Sequence, residues 1–333
     1  MKKFNLNRNC LDVIRIISCI GIFNLHFRGY FGYNPIPSFF NYVPIFFLLS
    51  GFFAAKSLTE NKGNFLKKRF TRIYPELWLC VILNLIIILL TYKNGVYSIK
   101  DIGIYLITQM SVCQFYTADW LRAYGVGVPN GALWTITVDI QFYIIVYLFY
   151  KFIKNNRRYI LSVSLLLFTT LSLLLAFYEK SIPTTIWKFV LVVIPSYIWI
   201  FIIGMLFYEY KDILLNFAVN TKWFFLMIYV IYKILLPTSI TGLLCGVRYN
   251  VIETIITSLI IFGFGFSYNF RIKEDYSYSF YLYHMVIINI VYNNFVQKIS
   301  SFKEYVVIYI MILIVIFIVS FLSKRIISKL NIL

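Results

Sequence analysis

Apolar runs close to twenty residues long follow one another from end to end of a 333-residue chain. A helix rises about 1.5 Å per residue and the hydrocarbon core of a bilayer is about 30 Å thick, so a run of that length can cross. About ten can be read, near residues 10–30, 39–55, 74–92, 131–150, 159–178, 187–208, 223–237, 251–268, 277–296 and 305–322. The runs at 39–55 and 223–237 are the shortest, and residues 101–116 read as an interfacial or re-entrant piece. With 61% hydrophobic and only 13% charged residues, little is left to solvate an ordinary globular surface. The expectation is an all-α polytopic membrane protein, a bundle of about ten transmembrane helices forming one domain over 1–333 with no appended soluble domain.

A formal charge of +18 would suit a nucleic-acid ligand, but the placement of the cations argues for a membrane. They gather in alternate connections: Lys2, Lys3 and Arg8; Lys56, Lys62, Lys67, Lys68, Arg69 and Arg72; Lys151, Lys154, Arg157 and Arg158; Lys211 and Lys222; Arg271 and Lys273; Lys324, Arg325 and Lys329. These hold 20 of the 31 positive residues, against 9 in the remaining connections, which is the bias of cytoplasmic loops. Both termini are therefore expected inside. The expected partner is the lipid bilayer, and no nucleic acid is expected. Five cysteines, at 10, 19, 80, 113 and 245, lack CxxC spacing, and the chain has two histidines, so neither a disulfide framework nor a metal site is expected. The first run continues past signal-peptide length and is interrupted by polar residues, unlike a cleavable signal.

Those interruptions carry the functional information. The stretch LDVIRIISCIGIFNLHF, residues 11–27, holds Asp12, Arg15 and His26. A charge at the centre of a membrane helix costs about 2.5–3.5 kcal/mol on insertion scales, so it marks a pathway, a partner or a reaction. Arg15 and His26 fall on one helical face, about 16 Å apart along the axis, in the inner and outer halves of the span. Asp12, one turn before Arg15, can pair with it. In VPIFFLLSGFF, Ser50 and Gly51 suit close helix approach, and Ser50 is kept as an additional candidate. The segment KKRFTRIYP that follows is either an orienting loop or, if helical, a site with Arg69 and Arg72 one turn apart as a forked phosphate-binding pair. NGALWTITVDIQFY, residues 130–143, carries Asp139 and Gln141 into a span at a depth that puts Asp139 within reach of His26. YSYSFYLYHMV places His284 in the inner half of the ninth run among Tyr276, Tyr278, Tyr281 and Tyr283, where packing and functional readings both stand.

In this order, LDVIRIISCIGIFNLH, FFLLSGF, KKRFTRIYP, LWTITVDIQFY and YSYSFYLYH resemble the bacterial integral-membrane acyltransferase family 3, many of whose members O-acetylate cell-surface polysaccharides. The resemblance covers nearly the whole chain. It implies a multi-pass protein of the bacterial inner membrane that takes an acyl group, usually acetyl, from cytoplasmic acyl-CoA and passes it to a membrane-presented glycan or lipid-linked acceptor. Acetyl-CoA would be a donor substrate, with no permanently bound cofactor. The family's essential histidine falls on His26, its first-helix arginine on Arg15, and its RxxR arginines on Arg69 and Arg72. Where the family usually has glutamate in the tryptophan-led motif, this chain has Asp139, one methylene shorter.

Physical chemistry fits that picture. Acyl transfer to a hydroxyl requires removal of a proton as the oxygen attacks the thioester, and imidazole is suited to the task. An acidic partner such as Asp139 could orient His26 and stabilise its cation. Two other classes compete: a secondary transporter or lipid-linked glycan carrier, which would also line its route with ionisable residues, and a receptor or scaffold. No paired repeats or matched broken helices support the transporter, and a scaffold leaves the combination of RxxR and His26 without a purpose.

Overall fold

The computed structural model describes residues 4, 6, 9–33, 39–60, 63–92, 95–235, 244–270, 272–295 and 301–329. Lys2, Lys3, Arg8, Lys62 and Arg271 of the basic connections, and residues 236–237 and 296 at the ends of two expected runs, lie outside the described residues. Among those described there is no strand. The helices are α1 Leu11–Phe31, α2 Tyr42–Thr59, α3 Phe65–Thr91, α4 Ile99–Met110, α5 Trp134–Phe152, α6 Arg157–Phe177, α7 Thr184–Val190, α8 Ile198–Glu209, α9 Lys211–Leu235, α10 Val251–Gly265, α11 Ser277–Phe295 and α12 Phe302–Lys329.

Six stretches, those containing α2, α3, α5, α6, α9 and α12, are long and apolar enough to cross a membrane, while α8 and α10 are shorter apolar helices. The similarly long α1 and α11 are more polar, with Asp12, Arg15, Asn24 and His26 on one and His284, Asn289 and several tyrosines on the other. Residues 101–116, read as an interfacial piece, open within α4, whose start is fixed by a capping box in which Ser98 and Asp101 satisfy each other's backbone N–H groups. The exposed Asp101 carboxyl is held below its ordinary pKa by the backbone and hydroxyl hydrogen bonds from Ser98.

Two prolines act differently. The apolar run at 187–208 is broken at Pro195, which sits in a 3-10 turn, Ile194–Ser196, between α7 and α8. Proline cannot donate to the helical ladder and its ring crowds the preceding turn. Gln141 closes the gap: its Nε2 donates to the Val192 carbonyl at 3.0 Å and its Oε1 accepts from the Ile194 N–H at 3.1 Å. Pro75, by contrast, stays inside α3. That helix begins at Phe65, so the basic segment KKRFTRIYP forms its opening turns and Arg69 and Arg72 are helical.

The chain divides into two compact units interleaved in sequence: Met1–Ser18 with Phe39–Leu66 and Val138–Lys273, and Cys19–Ser38 with Lys67–Thr137 and Glu274–Leu333. In the first, α2 and α8 cross backbone against backbone. A Cβ at Gly51 would strike the Phe201 carbonyl, and one at Gly204 would strike that of Leu48. Small residues at such crossings let helices gain dispersion contact where the lipid supplies no hydrophobic drive. Around the crossing Phe201 stacks on Phe47 and Phe142, with ring centroids 4.6 and 4.1 Å away. In the second unit, α11 is central, buried along most of its length from Ser277 to Asn289.

Gly51→Ala and Gly204→Ala should each destabilise the protein by about 1–3 kcal/mol, because the obstructing atoms are backbone and cannot rotate away. Gly103→Ala, with nothing within 4 Å of the added carbon, should be neutral or slightly stabilising. Thermal unfolding of the three purified variants in one detergent checks the ranking; equal midpoints would show that the crossing tolerates side chains.

Candidate active site

Aromatic packing turns α1 toward α11. Phe23, Phe27 and Phe31 recur every four residues and are buried. Phe23 and Phe27 each lie 5.1 Å, centroid to centroid, from Tyr309 of α12, and Phe23 also meets Phe280 of α11 edge-on at 6.4 Å. Cys19 Sγ donates to the Ser277 carbonyl at 3.0 Å. His26, three residues beyond Phe23, shares this side of the helix.

There it meets His284. His26 Nδ1 is 2.8 Å from His284 Nε2, and the rings are nearly parallel, 3° apart with centroids 5.1 Å apart, so the two histidines share one depth and not the outer and inner halves that their places in the sequence suggest. His284 is fully buried, and its Nδ1 lies 2.6 Å from the Tyr281 carbonyl oxygen. A carbonyl can only accept, so hydrogen bonding assigns the proton to His284 Nδ1 and leaves Nε2 with a lone pair. His26 Nδ1 must then be the donor in the shared bond. Its own Nε2 is left as an acceptor, with no hydrogen-bond partner among the described residues. Two packing contacts thus produce an oriented imidazole with one basic nitrogen available.

The α11 backbone around His284 is pinned from the segment that leads into α5. Asn130 Nδ2 donates to the Leu282 carbonyl at 2.8 Å, and the Tyr281 hydroxyl donates to the Ala132 carbonyl at 2.6 Å while lying 2.7 Å from Thr135 Oγ1. Further along, Asn289 accepts from the Val126 N–H at 2.8 Å and donates to the Val128 and Pro129 carbonyls, both at 3.0 Å. Gly125 has φ +55°, and a Cβ there would collide with the Asn289 amide. Neither asparagine stood out in the sequence, although an amide inside an apolar run is itself a signal that a backbone needs a partner.

At the other end of α11, Asp275 Oδ1 accepts from the Ser277 N–H at 2.9 Å, an Asx turn that satisfies the first N–H of the helix. Its Oδ2 lies 3.5 Å from Arg72 Nη2, whose side chain is half exposed. One turn further along α3, the buried Glu76 accepts hydrogen bonds from Ser279 of α11 and Ser323 of α12. Arg69, three residues before Arg72, is half-buried. In the first unit, Arg15 Nη1 lies 3.2 Å from Asp12 Oδ1, the pair the spacing predicts, and its guanidinium sits 4.7 Å from the Phe53 ring centre. Ser50 Oγ is 3.3 Å from the Tyr143 hydroxyl. Asp139 is half-buried on α5 and belongs to this first unit, whereas His26, His284, Arg69 and Arg72 belong to the second. Among the described residues no three His, Cys, Asp or Glu side chains gather as a metal site would require.

A family profile described as an acyltransferase domain matches residues 8–325. An O-acetyl transferase of Shigella phage Sf6 is 30% identical over 177 residues, 50% of this chain and 52% of that protein. Nodulation protein 10 of Rhizobium leguminosarum bv. viciae is 30% identical over 112 residues, 31% of this chain and 30% of that protein. The chain therefore spans about half the length of the first relative and under a third of the second. No solved structure matches it.

Because the chain has two histidines in all, histidine-selective 15N labelling reports the pair without overlap. Both rings should carry their proton on Nδ1, the less common tautomer of free imidazole. Nε2–H resonances from either ring would overturn the assignment.

Proposed function

This chain belongs to acyltransferase family 3, and we propose that it is a membrane O-acetyltransferase with His26 as its base and His284 as the residue that orients it. It moves an acetyl group from cytoplasmic acetyl-CoA to a hydroxyl of a cell-surface or lipid-linked glycan. Its place is the bacterial cytoplasmic membrane, crossed about ten times with both termini inside, as the alternation of basic connections supports. The relative's name as an O-acetyl transferase supports the acetyl group. The observation that carries the reading is the histidine pair and its single available nitrogen.

His26 Nε2 takes the acceptor's hydroxyl proton as the oxygen bonds to the thioester carbonyl carbon. The Nδ1–H stays with His284, whose lone pair faces the imidazolium as its charge forms. When the tetrahedral adduct collapses, the carbon–sulfur bond breaks and the proton passes from His26 to the departing CoA thiolate. Both products leave with the base restored. Arg69 and Arg72 hold CoA phosphates through forked, charge-assisted hydrogen bonds, with Arg72 exchanging Asp275 for phosphate. On sequence reasoning alone, Arg15, which pairs with Asp12, is a further candidate cation and Asp139 a candidate carboxylate for this chemistry.

His26→Ala should reduce acetyl transfer by about 10²–10⁴, at unchanged membrane abundance. His284→Ala should cost less, about tenfold to a hundredfold, because the base survives but loses its orienting acceptor. Mass spectrometry of surface glycans and lipids from cells carrying each variant measures both and identifies the acceptor; wild-type acetylation with His26→Ala would remove the histidine from the mechanism.

Arg69→Ala and Arg72→Ala should weaken acetyl-CoA binding, each by about tenfold, with lysine restoring it only in part because it keeps the charge and loses the planar fork. Calorimetric titration of purified protein with CoA reads this directly. Normal binding by both alanine variants would reduce the cluster to a topological signal.

A further inference from the structure

The first unit contains a cleft of about 170 Å³ lined by α5, α6, α8 and the turn at Ile194 and Pro195. Each helix lends it one face: α5 from Phe142 to Phe149, α6 from Leu161 to Phe168, and α8 from Ile198 to Met205, at spacings of three and four residues. Apart from the Ser164 hydroxyl, every lining side chain is apolar. An apolar cavity of about 150 Å³ stays dry and accepts benzene, so this one holds about six or seven carbon atoms. The cleft is partly open, and α6 is largely unburied by protein, with Leu166, Leu167 and Phe177 all strongly exposed. A hydrocarbon chain from the surrounding lipid can therefore enter it sideways.

One end of the cleft is strongly basic. Lys151 stands in the last turn of α5, Lys154 follows it, and Arg157 and Arg158 open α6, while no acidic residue occurs between Asp139 and Glu179. Arg157 lies one turn before the lining residue Leu161, and its guanidinium sits 4.6 Å from the ring centre of Tyr150, the neighbour of the lining residue Phe149. Arg158 lies 5.0 Å from the Tyr210 ring centre. Neither arginine forms an ion pair with a carboxylate among the described residues. Glu209, one of two acids near Tyr208 with Glu60, accepts from the Tyr150 hydroxyl at 2.7 Å.

We propose that this cleft is a binding site for an anionic phospholipid, with part of one acyl chain between α5, α6 and α8 and the phosphate on Arg157 and Arg158. The apolar slot selects the chain, and the two arginines select the charge. Basic clusters at the ends of membrane helices attract anionic headgroups, and forked guanidinium groups match phosphate oxygens. Lipid binding at this cleft does not depend on acetyl transfer.

Native mass spectrometry of the purified protein with equal amounts of phosphatidylglycerol and phosphatidylcholine of the same chains tests this. Wild type should retain phosphatidylglycerol in preference, by on the order of tenfold. Arg157→Gln with Arg158→Gln should bring the two lipids level, and Ser164→Phe, which fills the cleft, should lower retention of both. Equal retention by the wild type would overturn the anionic selectivity. Unchanged retention by a monodisperse Ser164→Phe protein would overturn the cleft. If that variant fails to fold, the arginine pair decides: those side chains lie at the helix start, and an undiminished preference for phosphatidylglycerol without them overturns the site.

Discussion

Hydrocarbon contains no water to satisfy a polar group, so each polar side chain in a membrane span must find a partner within the protein. In the second unit that constraint organises α11. Reading along it, Asp275 meets Arg72, Ser279 meets Glu76, the Leu282 carbonyl receives Asn130, Tyr283 donates to Ser323, His284 receives His26, and Asn289 clasps the loop at 126–129. Partners come from α1, α3, α12 and the segment before α5, so satisfying one helix fixes the rest of the unit around it. The histidine pair is one rung of this column. Its geometry is inherited from neighbours whose role is structural.

A histidine in place of a carboxylate beside the base has a physical consequence. A buried carboxylate brings a charge that must be desolvated and matched, whereas an imidazole accepts the same hydrogen bond with no net charge in the resting site. His284 can be fully buried on those terms. The positive charge then exists only while a proton is in transit, and the backbone carbonyl of Tyr281 keeps the accepting nitrogen pointed at His26 throughout.

Much of this could be read from the amino acids alone, for identifiable reasons. Apolar runs give helices because length and composition are local properties, and the Asp12–Arg15 pair follows from a spacing of three. Arg69 and Arg72 fall ahead of the apolar run that begins near 74, and the structure carries the helix back to Phe65 to include them. What depends on distant contacts was harder to see. His284 looked like one polar residue among tyrosines, and nothing within α11 says that His26, 258 positions earlier, donates to it. Gln141 resembled a companion of Asp139, yet it mends the break that Pro195 makes. The aspartate itself sits in a different unit from His26, so its share in the chemistry stands on sequence reasoning.

The crossing of α2 with α8 carries a consequence for biogenesis. Gly51 and Gly204 approach each other's helices closely, but about 150 residues separate them in the chain. At about 5–20 residues per second of synthesis, α2 waits for about 8–30 s in the membrane before α8 is made. During that interval its glycine face is a bare helix-association surface, and whatever shields it, lipid or insertion machinery, must leave again without having bound too well.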